Sequence, residues 1–293
     1  MTKAIYHIGI IVLIILAIGV LWKTYMKPNT EQTLQFFPLN DEAKFSEANT
    51  SLTLKEPDKN KNKYEVILHV SSVLHQTAYL RQDMSLLFQN GRLNDFLRGW
   101  KQDVSSMDQK LTAQGYESSL FEAVTIHYAE IHDQDDIPTS TFKTTDASLY
   151  VISSRFGPIK SFQVPENEEQ KDWAFTLRSV TNSRLTKVLD RYIDQAHIDL
   201  SNYTVMPITE LAAKKDTLLS DYTEQEQRAI IEKLWEALYS IYISGIKKQD
   251  GTIINPVDST IPLILREKQS RRLILLIQDK TGNLHEFYQQ LPS

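Results

Sequence analysis

His127-Tyr-Ala-Glu130-Ile-His132-Asp-Gln-Asp135-Asp136 is the densest run of imidazoles and carboxylates in the chain. Side chains of these types could hold Zn²⁺ or another divalent ion. Geometry limits that reading. On a strand, Glu130 and His132 share one face and His127 takes the other. On a helix, His127 and Glu130 are neighbours and His132 lies well off their face. Neither arrangement gathers three ligands without help from the loop that follows. The plainer expectation is a strand ending in a solvated acidic loop before Pro138. His127, Glu130 and His132 remain the weak candidate ligands, and no metal or cofactor is expected.

A second set of residues could do covalent chemistry. Ser140-Thr-Phe-Lys143 and Lys280-Thr-Gly282 together resemble two of the three signatures of the penicillin-binding proteins and serine β-lactamases. The resemblance implies acyl transfer, with Ser140 attacking, Lys143 assisting beside it and Lys280 holding a substrate carboxylate. It is confined to those two motifs, and no family is identified that covers the chain. In that family the first motif opens a helix, so that Ser and Lys share a face. Here residues 144–151 read as a loop running into a strand. Lys280-Thr-Gly282 falls in what reads as a hairpin turn rather than on a strand. The third signature, Ser-x-Asn, is missing, and Ser220-Asp221-Tyr222 is a poor substitute. Ser244-Gly-Ile-Lys247 repeats the first spacing. Ser140, Lys143 and Lys280 are therefore weak catalytic candidates, and the chain is expected not to be an enzyme.

Other chemistries are excluded more firmly. No two of the nine glycines lie within five residues of each other, which rules out Gly-x-Gly-x-x-Gly and a P-loop. There is no Gly-x-Ser-x-Gly and no His-Glu-x-x-His. The absence of cysteine removes disulfides, thiolate zinc sites, iron–sulfur clusters and a cysteine nucleophile. His69, His75, His197 and His285 are scattered. The basic cluster Arg266, Glu267, Lys268, Arg271, Arg272 reads as a solvated turn. Asn49-Thr-Ser51 and Asn202-Tyr-Thr204 match the N-glycosylation pattern, which matters only in a secretory-pathway host. Net charge is −5 over 293 residues. Residues 1–27 hold Lys3, Lys23 and Lys27 and no acid, so the remainder carries about −8. Nucleic acid is not an expected partner.

The elements that must position these residues follow from pattern. Residues 5–22 form an uninterrupted apolar run with Tyr6 and Trp22 near its ends. At 1.5 Å per residue it reaches roughly 27 Å, close to a hydrocarbon core of about 30 Å. The expectation is an uncleaved signal anchor over residues 1–27, a single-pass helix whose partner is the lipid bilayer. A polar tether over 28–63 and an extracytoplasmic domain over 64–293 follow, with a division near Pro165 as an alternative. Tyr64–Val70 reads as a strand, and 124–128 favours strand by propensity. Leu93, Phe96, Leu97, Trp100, Val104, Met107 and Leu111 recur at three and four, predicting an amphipathic helix capped at Gly115. Leu149–Ser153 and Ile159–Val164 read as two short strands. A long helix follows Pro165, and a capping box at Thr223-Glu-Gln-Glu226 opens another that Gly245 can end. Ile261–Leu265, Leu273–Ile277 and Leu284–Tyr288 form a β tail with a hairpin at 279–283. The fold class expected is α+β: a transmembrane helix, then short, mainly antiparallel strands with amphipathic helices. The expected function is non-catalytic binding or regulation near a membrane surface, with another membrane or envelope protein as a candidate partner.

Overall fold

A computed structural model describes residues 37–55, 63–132, 137–154, 157–248 and 251–292. Alternation of buried and exposed side chains begins at Tyr64 and runs far past Val70. Strand β2 spans Tyr64–Gln89 and strand β3 spans Arg92–Gly115. They form one antiparallel hairpin joined by Asn90 and Gly91, whose φ angles are 50° and 81°. Positive φ at both central residues is the turn that matches strand twist, and Asn-Gly is its preferred pair.

The helix expected over 93–111 is therefore strand β3. Spacing of three and four misleads here because the apolar residues divide between two strand faces. Leu97, Leu111 and Ala113 pack on the main core, whereas Trp100 is 58% exposed. Gly115 caps no helix. Its Cα faces the Tyr64 ring, and a Cβ there would fall 2.3 Å from Tyr64 Cζ.

The hairpin bends where its register shifts, between Val73 and Ala78. Before the bend Val66, Leu68, Val70 and Ser72 are buried; after it Asp83, Ser85 and Leu87 follow the opposite parity. Strand β1, Phe45–Lys55, pairs the first half of β2, and β4, Ser119–Ile131, pairs the second half. β5, Thr139–Ile152, pairs β4, and β6, Lys160–Phe162, pairs β5. Curvature carries β1 back to β5, where Thr50 Oγ1 and Thr145 Oγ1 lie 2.6 Å apart. The result is a nearly closed antiparallel, barrel-like sheet. Its core unites Leu52, Tyr64, Val66, Leu68, Leu87, Phe121 and Val151.

Every residue of β4 is buried, because its outer face is covered as well. Helix α1, Glu168–Ala196, seats Leu177 against Leu120, Tyr150, Ile152 and Phe162. Helix α2 is Leu211–Leu218, and α3 is Glu224–Tyr239, opened by the expected Thr223–Glu226 capping box. A π-helical turn at Ser240–Ser244 ends at Gly245, φ 88°. A second antiparallel sheet orders β7 (Tyr203–Pro207), β10 (Leu263–Glu267), β11 (Arg272–Gln278) and β12 (Leu284–Gln290) side by side. A small pair, β8 (Ile246–Lys247) and β9 (Ile253–Ile254), lies between them in sequence. The long helix after Pro165 and the β tail agree with expectation. Within the basic cluster, Arg266 is buried rather than solvated, donating to Leu218 O at 2.6 Å and pairing with Asp221.

Two expectations need correction. The α+β class with short strands gives way to a strand-dominated fold, since β2, β3 and β5 are long and β1 lies within the stretch expected to be a tether. Bending lets a long strand bury both halves, which short-window patterns cannot register. The transmembrane helix at residues 5–22, and the lipid contact built on it, lie outside the described residues. Among the described residues no helix is long and apolar enough to cross a membrane. The single-pass, signal-anchored description is accordingly corrected: the described residues form a strand-rich fold and hold no candidate membrane helix. Residues 35–293 form one compact unit.

Candidate functional site

The alternation that turns Val66, Leu68 and Val70 inward also turns Ser72 inward, and β4 likewise buries Thr125 and His127 below Phe121 and Ala123. With Thr50, Asp83, Ser85 and Thr145 they form a polar layer inside the barrel. Arg81 joins it at the bend of the hairpin. Its Nη1 donates to Ser105 O at 2.7 Å, its Nη2 to Ser72 Oγ at 2.5 Å, and its Nη2 lies 3.6 Å from Asp83 Oδ1. The guanidinium sits 4.8 Å from the Phe45 ring centroid. Burial lowers the basicity of Arg81, and the Asp83 carboxylate opposes that shift.

His127 stands between an acid and a hydroxyl. Nδ1 is 3.1 Å from Asp83 Oδ2, and Nε2 is 2.8 Å from Thr145 Oγ1. An Asp–His–hydroxyl line of this kind activates nucleophiles elsewhere. Here the hydroxyl belongs to a longer chain: Thr145 Oγ1 lies 2.6 Å from Thr50 Oγ1, Thr50 donates to Thr125 at 2.7 Å, and Thr125 donates to Ser85 at 2.7 Å. His127 is also fully buried, as are Thr125 and Arg81. The layer acts as an internal brace across β1, β2, β4 and β5.

The expected site residues are dispersed. Ser140 and Lys143 lie on β5, three residues apart, and so point to opposite faces. Ser140 is fully buried; Lys143 is exposed and is the cross-strand partner of His127. Lys280 is exposed in the β11–β12 turn, on the second sheet. That turn is organised by Asp279, whose Oδ1 accepts from Thr281 N at 2.8 Å, Thr281 Oγ1 at 2.7 Å and Asn283 N at 3.0 Å. Burial pushes Asp279 upward, but bonds from His285, Thr281 and Asn283 outweigh it and hold the carboxyl well below its usual range. Of the metal candidates, His127 faces the interior while Glu130 Oε1 meets His132 Nε2 at 2.5 Å. Tyr79 stacks on His132 with centroids 4.1 Å apart. Asp135 and Asp136 lie outside the described residues, among which no group of three ligating side chains occurs.

Two further buried acids that sequence reasoning missed lie outside the barrel, Glu122 on the outer face of β4 and Glu232 on α3. Burial raises Glu122 to about 6, against an opposing Arg178; Thr209 Oγ1 lies 3.4 Å from its Oε1, and its Oε2 has no hydrogen-bond partner. Burial raises Glu232 of α3 to about 7, against bonding from Ser140. A charged residue on an apolar helix stripe, as Glu232 beside Ile231 and Trp235, is the only sequence signal for either. On the protein surface, α3 and strands β11–β12 enclose a groove of about 450 Å³ lined by Lys233, Glu236, Leu275, Phe287 and Tyr288 among others.

No protein-family model matches this chain, and neither a curated protein nor a solved structure does.

Proposed function

We propose that the protein is a non-catalytic binding or regulatory module. The observation that carries this reading is that both candidate hydroxyls are already engaged: Ser140 Oγ is buried against Phe37 O and Glu232, and the half-buried Thr145 is bonded to both His127 and Thr50. The groove beside α3 offers a cation, an acid and two aromatic rings at the surface, a composition suited to contact with a protein partner.

The full chain is to be incubated with a fluorescent penicillin and, separately, with a fluorophosphonate probe. Neither is expected to label it. Covalent labelling that disappears in Ser140→Ala or Thr145→Val would overturn the proposal. For the binding half, a photo-crosslinking residue at Tyr288 is expected to capture a discrete partner that the same residue at exposed Tyr116 does not. Equal capture at both positions counts against the groove.

A further inference from the structure

Ser140, the residue with the best claim to nucleophilic chemistry in the sequence, is instead the hub that ties down the segment 37–41. All three of its polar groups are used. Its N–H donates to Pro38 O at 2.9 Å, its carbonyl accepts from Asn40 N at 2.7 Å, and its hydroxyl lies 2.6 Å from Phe37 O. Asn40 Nδ2 adds a bond to Thr139 Oγ1 at 3.2 Å, and Asp41 pairs with Arg228 of α3 at 2.7 Å. The strap is thus held between β5 and α3.

The Ser140 hydroxyl faces a second acceptor, Glu232 Oε1, at 3.1 Å. One proton cannot serve Phe37 O and an ionised Glu232 together. A protonated Glu232 resolves the conflict, because it donates to Ser140 Oγ and leaves the hydroxyl proton on the strap carbonyl. An ionised Glu232 draws that proton to itself, and the strap loses a bond. The Tyr128 hydroxyl also bonds with Ser140 and with the Phe37 backbone.

We infer that Ser140 and Glu232 form a proton-gated clasp on the strap at residues 37–41, tight while Glu232 is protonated and loosened when it ionises. The groups that face Glu232 are Tyr128 from β4, which Glu130 also flanks, Ser140 from β5, and Arg228, Lys233 and Glu236 on its own helix. Arg228 and Lys233 favour ionisation and Glu236 opposes it, while burial dominates and raises the acid to about 7. A carboxyl raised in the closed state strengthens closure fully below its ordinary range near 4.5, and that gain is lost as pH rises through about 7.

The test is amide hydrogen exchange of the full-length protein from pH 5 to pH 8, corrected for intrinsic rates. Protection of the Asn40 and Ser140 amides is expected to fall by about tenfold or more across that range. The Leu275 amide, on β11, is the internal reference and is expected to change far less. Glu232→Gln is expected to abolish the pH dependence at Asn40, since an amide can donate to Ser140 at every pH. Flat protection at Asn40, an equal fall at Leu275, or unchanged pH dependence in Glu232→Gln each overturns the clasp. The first two outcomes need only the unmodified chain and decide the matter even if the variant fails to fold.

Discussion

The two faces of β4 are both sealed from water, yet they treat charge in opposite ways. Inward, Asp83 Oδ2 meets Ser72 and His127, while Asp83 Oδ1 has no hydrogen-bond partner and lies 3.6 Å from the Arg81 guanidinium. Outward, Glu122 and Glu232 face few donors, and burial raises both. The difference lies in the company each acid keeps: a buried guanidinium stands beside Asp83, and which groups reach a buried carboxyl depends on which strands curve around it.

The largest effect that would sharpen this contrast is on the inner face. Arg81→Met strands Asp83 in the barrel without its cation and is expected to cost about 3–5 kcal/mol in urea denaturation. A cost below about 1 kcal/mol would mean that the inner layer is no better supplied than the outer one. Next comes Glu122→Gln. Its carboxyl, raised from 4.5 to about 6, contributes stability that is full below pH 4.5 and lost as pH rises through about 6. Relative to the wild type, the variant should therefore gain about 2 kcal/mol between pH 4 and pH 8. No relative gain would break the contrast from the outer side.

Thr145→Val removes the hydrogen-bond partner of His127 Nε2 and the hydroxyl that bridges β5 to Thr50. A loss of about 1–2 kcal/mol is expected by thermal or chemical denaturation. Thr223→Ala lies on neither face. It removes the cap of α3 and should cost about 1 kcal/mol, equally at pH 5 and pH 8. A pH-dependent cost there would show that the helical layer as a whole, not the two acids, responds to pH.

Much of the second half of the chain was legible. The Thr223–Glu226 box, the apolar stripe of α3 and the turn at Asp279-Lys-Thr-Gly-Asn283 are local, and each is settled by neighbours within a few residues. Strand β3 was misread for the converse reason. Its three-and-four spacing is satisfied equally by a helix, and only pairing with β2 makes it a strand. Asn90-Gly91 was the available clue, a two-residue turn between two apolar runs. The polar layer had a weaker sign in the alternation Asp83-x-Ser85-x-Leu87 and Thr125-x-His127, which marks a shared face without saying whether that face is inside.

Composition and short-range pattern alone excluded cysteine chemistry and glycine-rich phosphate loops and placed the Thr223–Glu226 capping box, because those depend on residue identity and neighbours in sequence. The tertiary structure decided that Ser140 lies buried against the segment 37–41 and that His127 sits between Asp83 and Thr145. Both outcomes arise from strands separated by dozens of residues bending into contact. A hydroxyl or an imidazole acquires its role only from the partner that such bending brings within about 3 Å.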